Sequence, residues 1–406
     1  MKPVLIFAYY SFRDPVFQSA VLPYFWDLAP HGGCRFVLLT FEKTELRMLP
    51  EDAARLRAQL RERGIFWHAL SWHSGRFKLL KKAYDFCLAI LYSLYLIARY
   101  RVSIVYSEAF PGAIITHFLT RLTGCRHVVH TFEPHADSTL ESGVWTRHSW
   151  EYRLLKRMEA AVARGCSHIL SGTQGYIEKL RLLAPDAAFH RVPSCVDLDH
   201  FRFDPAARSL LRREWGIAEE RLVLVYLGKF GGMYWDEELP GFFLACKKHN
   251  PLSLLLVITP EPPAQVRRHL LSQGVCGQDL VVQTLRREQI PGALSAADVG
   301  ICAVRPFPAK RYCSPIKDGE YWAVGLPIVI PVGVSDDYRL AVKHAIGVTV
   351  PDTSPGGLRQ GAEALMDWLQ QDGNAAHEIR GRARQFVEED RSVASYRELY
   401  RQVLGC

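Results

Sequence analysis

The sequence predicts an α/β protein of two doubly wound domains facing a cleft. Three observations carry this. The chain of 406 residues is too long for one ordinary core. Short apolar runs alternate with longer amphipathic stretches, and the runs are nearly continuous instead of alternating, as in parallel strands buried on both faces. The runs fall into two series, which implies two sheets.

The first series is VLIFAYY from Val4, FVLLTF from Phe36, SIVYS from Ser103, HVVHTF from His127 and SHILSG from Ser167. The apolar N-terminus is read as a buried strand, because Arg13 and Asp14 follow with no small-residue cleavage site. The second series is LVLVYLG from Leu222, LSLLLVIT from Leu252, LVVQT from Leu280, VGICAV from Val299 and PIVIP from Pro327. Between them RVPSCVDLDHFRFDPAARS gathers Pro193, Asp197, Asp199, Asp204 and Pro205, so the boundary is placed at 200/201. The domains are then 1–200 and 201–390, with a C-terminal helix over 391–406.

Composition narrows the function. Hydrophobic residues make up 49% and charged residues 23%, which excludes a disordered or fibrous chain. Net charge is 50 − 42 = +8, and the surplus lies mostly in the first half. A mild, one-sided excess fits an anionic surface or substrate; no nucleic-acid-binding module is visible. Ten cysteines form no CxxC pair, which reads as free thiols in a reduced, cytoplasmic protein without a disulfide framework.

Ligands of open α/β sheets sit outside the carboxyl ends of the strands. The segment CSPIKDGEYWAVGLPIVIP places Ser314 as an N-cap, Pro315 at the first helical position, and Gly325 as the stop. Ile316 follows, and Lys317 then falls in the first turn, where a cation opposes the helix dipole unless an anion binds there. Glu320 shares its face and suits a ribose diol. The same two residues also fit a plain solvated ion pair. After LVLVYLG, the turn GKFGGMYWDEEL supplies Gly228, Gly231 and Gly232 for positive φ and Lys229 as a charge. An ordinary tight turn is the alternative. No strand is followed by GxGxxG, which disfavours a nicotinamide dehydrogenase.

The ordered set SGTQGYIEKL, RVPSCVDLDHF, LVLVYLGKF, LRREQIPGALSAADVGIC, SPIKDGEYWAVGLPIVIP and VKHAIGVTV resembles the large GT-B glycosyltransferase family (group 1, family 4 type) that typically transfers sugar with retention. The resemblance implies two Rossmann-like domains, with a nucleoside-diphosphate sugar held by the C-terminal one. Lys229 matches the family's basic residue, Lys317 and Glu320 its donor helix, and Thr284 and Leu285 the loop lining the base. It also implies that the C-terminal segment crosses back onto the first domain. Three positions depart from the pattern: Tyr312 replaces an acid, no second lysine follows Lys229, and Ser194-Cys195 stands where Asn-Gly is usual.

In the first domain, HVVHTF leads into EPHADSTLESGVW, with Glu133, His135 and Asp137 just past a strand end. By resemblance His135 matches the histidine near the transferred sugar, with Glu133 beside it and Glu108 as a weaker neighbour. A capping loop is the bland alternative. A metal site from His130, Glu133, His135 and Asp137 would need convergence, and Asp197-Leu198-Asp199 reads as turn capping, so no required metal or other cofactor is expected.

From Arg63 to Tyr84 there are basic residues and no acid. Arg76, Lys78, Lys81 and Lys82, interleaved with aromatics, predict peripheral docking on an anionic bilayer. The stretch from Phe86 to Ala98 is too short to span one and is read as a buried helix. The function these readings imply is transfer of a sugar from a nucleotide donor to a glycan or lipid-linked acceptor in surface polysaccharide or glycolipid synthesis, at the inner face of the membrane. A same-fold epimerase or hydrolase, or a degenerate nucleotide-binding scaffold, is the alternative.

Overall fold

The computed structural model describes residues 2–31, 33–73, 78–371 and 375–406. The chain divides into two compact units, one running to Cys195 and joined by Val393–Cys406, the other Val196–Ser392.

The first unit contains, among the described residues, the strands β1 Lys2–Phe7, β2 Cys34–Glu42, β3 Ile65–Ser71, β4 Ile104–Glu108, β5 Arg126–Thr131, β6 His168–Ser171 and β7 Ala188–Arg191. They form one parallel sheet in the order β3-β2-β1-β4-β5-β6-β7. The second unit contains β8 Leu222–Leu227, β9 Ser253–Ile258, β10 Leu280–Gln283, β11 Val299–Ile301, β12 Ile328–Pro331 and β13 Gly347–Val350. Their parallel order is β10-β9-β8-β11-β12-β13. Strand order therefore reverses beside β1 in one sheet and beside β8 in the other. Helices cover both faces, and β1, β8 and β9 are almost wholly buried, as their uniform hydrophobicity dictates.

Three strands absent from the sequence reading, β3, β7 and β13, all lie at sheet edges. An edge strand keeps one flank wet, so AFHR and IFWHALS carry histidines and lack a continuous apolar signal.

The C-terminal helix Arg397–Leu404 belongs to the first unit. Its Tyr400, Val403 and Leu404 are buried with Tyr24, Phe25 and Tyr106, and Arg397 pairs with Asp27 at 2.7 Å. Here the expectation of free thiols fails: Cys406 is disulfide-bonded to Cys34 at the start of β2, 372 residues away in sequence. No spacing rule could find that pair, because only the return of the last helix brings the ends together. The other eight cysteines are free.

The stretch Phe86–Ala98 is likewise not a buried helix. It lies within Lys78–Tyr100, a surface helix with one buried face (Asp85, Ala89, Ser93, Leu96). Leu80, Tyr84, Leu91 and Tyr95 form an exposed stripe on the other face. None of the helices, among the described residues, is long and apolar enough to cross a membrane.

Candidate functional site

In the second unit, the crevice at the reversal of strand order lies past the carboxyl ends of β8 and β11. Helix Ile316–Val324 is fixed over it by its own aromatic residues. The Tyr321 hydroxyl accepts a hydrogen bond from Leu227 N–H at 2.8 Å, and Trp322 Nε1 donates to the Ile346 carbonyl at 3.1 Å. Gly300 on β11 makes room, since a Cβ there would sit 2.5 Å from the Tyr321 ring. The helix starts one residue later than expected: Ile316 is its first residue, Pro315 takes the cap position, and Gly325 ends it in the left-handed region. Ser314 is therefore not the N-cap; its Oγ accepts from the buried Arg391 guanidinium at 3.1 Å. Arg391 also binds Asp337 at the start of the next helix, so one guanidinium ties both segments.

Lys317 and Glu320 project from the same side as Tyr321. The Lys317 stem crosses Gly228, where a Cβ would lie 2.8 Å from Lys317 Cε, and Gly228 has φ of 149°. Gly228 thus supplies space; its N–H is already donated to the Ile258 carbonyl at 2.9 Å. Lys229, next along, is exposed and has no carboxylate within ion-pair distance among the described residues. Gly231 and Gly232 have φ of 81° and 67°, and Gly231 lies against an acid. A Cβ on Gly231 would lie 3.1 Å from Asp236 Oδ2, and Asp236 and Glu238 share Arg305. Arg305 Nη1 also donates to the Gly232 carbonyl at 2.7 Å, so one guanidinium ties this turn to both carboxylates.

Glu320 is buried, and burial raises its carboxyl above the usual range against the opposing pull of Lys317, Arg287 and His200. Arg287 Nη1 lies 3.6 Å from Glu320 Oε1, and His200 Nε2 is 3.3 Å from the Arg287 carbonyl oxygen. Sequence reasoning quoted the segments holding Arg287 and His200 but did not single them out. Lys317 and Glu320 are therefore not a simple solvated pair: the carboxylate is sunk in a basic pocket. Thr284 Oγ1 donates to the Thr259 carbonyl at 2.8 Å, pinning the loop after β10 to the end of β9, and Leu285 packs on the core. Asp197 Oδ1 accepts from the N–H groups of Asp199 and His200, both at 3.1 Å, a capped turn.

In the first unit, the corresponding crevice lies past β1 and β4. Glu108 ends β4, and Ala109 after it takes φ of 57°, a strained value for a residue with a Cβ. The fully buried His130, on β5, has Nδ1 at 3.6 Å from Glu108 Oε2, and neither Glu108 oxygen has a hydrogen-bond partner. This pair is the main addition to the sequence reading, which ranked Glu108 below Glu133 and His135. His135 is the first residue of helix His135–Glu141, half-buried. Glu133 Oε1 accepts from Ser138 Oγ at 2.8 Å. Burial raises the Asp137 carboxyl, but Lys156 and Lys179, at 2.5 and 3.2 Å, outweigh it and hold it below its usual range. Among the described residues no group of three or more histidines, cysteines and carboxylates is placed to hold a metal.

Of the predicted basic patch, Arg76 lies outside the described residues. Lys78 begins helix Lys78–Tyr100, on which Lys81 is half-buried and Lys82 exposed.

A scan of family models and a search of curated proteins give no match. Solved structures do. The Anabaena protein HepE in complex with UDP is similar over 100% of both chains, with TM-score 0.72 and 12% identity. Sucrose-phosphate synthase from Thermosynechococcus elongatus matches over 100% of both chains at TM-score 0.73 and 14% identity. WaaG, a glycosyltransferase involved in lipopolysaccharide biosynthesis, matches over 100% of this chain and 99% of its own at TM-score 0.65 and 15% identity. The chain has the fold of these proteins, two Rossmann-like domains of the GT-B class.

Proposed function

We propose that this protein is a glycosyltransferase that moves a sugar from a nucleoside-diphosphate donor to a glycan or lipid-linked acceptor. One observation carries the reading. At the point where the second sheet reverses order, Lys317 lies across Gly228 while Glu320 is sunk nearby among basic groups. A diphosphate meets the ammonium and the free N–H groups of the helix start; a ribose diol meets the carboxylate. Similarity of fold to proteins solved with UDP and UDP-glucose supports it.

In the reaction the C1–O bond to the diphosphate breaks and negative charge grows on the leaving group. Lys317, with Lys229 as the second cation, stabilises that charge, and a preorganised ammonium needs no reorientation as the bond breaks. Glu320 orients the nucleoside. In the first unit, Glu133 and His135 are the groups assigned to the transferred sugar and the acceptor; the Glu108–His130 pair is fully buried and touches neither. Retention, a role in surface polysaccharide or glycolipid synthesis, and the absence of a required metal belong to this reading.

Docking on an anionic bilayer is the second part of it. The exposed stripe Leu80, Tyr84, Leu91 and Tyr95 lies on the same helix as Lys81 and Lys82, which gives that helix both apolar surface and basic charge. Replacing Lys78, Lys81 and Lys82 by Glu is expected to lower binding to phosphatidylserine vesicles; unchanged binding removes this part.

The donor is tested by thermal shift with uridine, guanosine, adenosine and cytidine diphosphates. One base is expected to raise the melting temperature above the others, followed by turnover of the matching nucleotide sugar only when acceptor is present. Turnover without acceptor points to a hydrolase or epimerase, and no response to any nucleotide refutes the reading.

A further inference from the structure

A separate pocket of about 300 Å³ opens in the first unit past the carboxyl ends of β2 and β3. Glu42, Arg47, Arg57 and Trp67 line it, with Met48 and Leu70 as apolar wall. No function described above uses it.

Its charges are unusual. Arg47 donates to Ser71 Oγ at 2.9 Å, and the Arg57 guanidinium lies 5.0 Å from the Trp67 ring centroid. Neither has a carboxylate within 4.0 Å among the described residues, so both keep donors free. Glu42 is 7% exposed and held by a chain of hydrogen bonds: Trp67 Nε1 donates to Thr40 Oγ1 at 2.8 Å, and Thr40 donates to Glu42 Oε1 at 2.6 Å. Phe12 N–H also donates to Oε1, at 3.0 Å. Oε2 is buried with no hydrogen-bond partner. A buried carboxylate oxygen left unpaired costs desolvation that only a donor from a ligand or water repays.

We propose that this pocket binds a sugar carrying a phosphate or carboxylate group. The two guanidiniums take the anion, as their fork geometry suits. Glu42 Oε2 accepts a hydrogen bond from a ring hydroxyl, and Met48 and Leu70 cover the C–H face of the ring. The cavity lies at the low end of small-ligand pockets, enough for a monosaccharide. As the acceptor's subsite it rests on the glycosyltransferase reading; as a binding site it does not.

The test is calorimetric titration of the full chain with glucose 6-phosphate, glucuronate, glucose and inorganic phosphate. At least one anionic sugar is expected to bind tenfold or more tightly than either glucose or phosphate. Arg47→Gln and Arg57→Gln are each expected to weaken it tenfold or more. Glu42→Gln is expected to weaken the anionic sugar while leaving inorganic phosphate unchanged. Should Arg57→Gln fail to fold, having lost its stacking on Trp67, the exposed Arg47 carries the test. Binding of UDP, measured on the same samples, is expected to be equal in all variants. Loss of UDP binding in the parent protein, with anionic sugars still bound, refutes the donor site and leaves this pocket standing. Absence of anionic-sugar binding at millimolar concentration, equal binding in the arginine variants, or phosphate binding as tightly as its sugar overturns the proposal.

Discussion

Gly228→Ala separates stability from ligand binding in the second unit. The new methyl group would lie 2.8 Å from Lys317 Cε, an impossible contact, on a backbone with φ of 149°. The obstructing atom is near the end of a flexible chain, so the lysine yields and the backbone strain remains. That strain costs roughly 1–3 kcal/mol, read as a melting-temperature drop of about 2–4 °C per kcal/mol at this domain size. Displacing the ammonium removes a charge-assisted contact to the diphosphate, a net loss of about 1.5–3 kcal/mol. At tenfold per 1.4 kcal/mol, UDP affinity should fall about 10- to 150-fold. Calorimetry with UDP measures this, and Lys317→Met is the partner experiment. It should lose a similar amount of affinity with only a small drop in melting temperature, from the lost pull on the buried Glu320 carboxyl, because Lys317 is half-buried and has no carboxylate within 4.0 Å among the described residues. In the Lys317→Met background, Gly228→Ala should cost further stability but almost no further affinity. If the two losses of affinity add, Gly228 does not act through Lys317 and the account of this crevice is wrong.

Three further outcomes follow from the buried groups. Glu320→Gln should raise the melting temperature at neutral pH while weakening UDP: burial raises this carboxyl, so its ionised form is the one that costs stability as pH rises. A variant that loses stability and keeps affinity would contradict the ribose role. Glu159, whose Oε1 accepts the Ala136 N–H at 2.8 Å, is pushed up by burial to about 7. Its contribution is full below about 4.5 and lost as pH rises through 7, roughly 3 kcal/mol in all. Glu159→Gln should flatten the fall in melting temperature between about pH 4.5 and 7, and an unchanged slope there would discount it. Cys34→Ser should lower the melting temperature under oxidising conditions and leave it unchanged under reducing ones, since the bond closes a long loop; a Cys34–Cys406 peptide missing from non-reducing digests would refute the pairing.

The sequence by itself determined the fold class and most of the sheet, because strands buried on both faces must be hydrophobic throughout. VLIFAYY and LVLVYLG have no other stable home. It also placed Lys317 and Glu320 on one helix face, since their spacing is local and Gly325 marks the helix end. Tertiary structure decided what local spacing cannot encode. The edge strands β3, β7 and β13 are set by pairing with neighbours, not by their own composition. Glu320 is flanked by Arg287, which follows the edge strand β10, and by His200 in the link before β8, while Glu108 lies opposite His130 in the β4–β5 register; each pairing joins segments far apart in the chain. Cys34 finds Cys406 only when the last helix docks on the first unit. Short-range periodicity is written along the chain, whereas the partners of a buried charge are chosen by which distant segments the fold brings together.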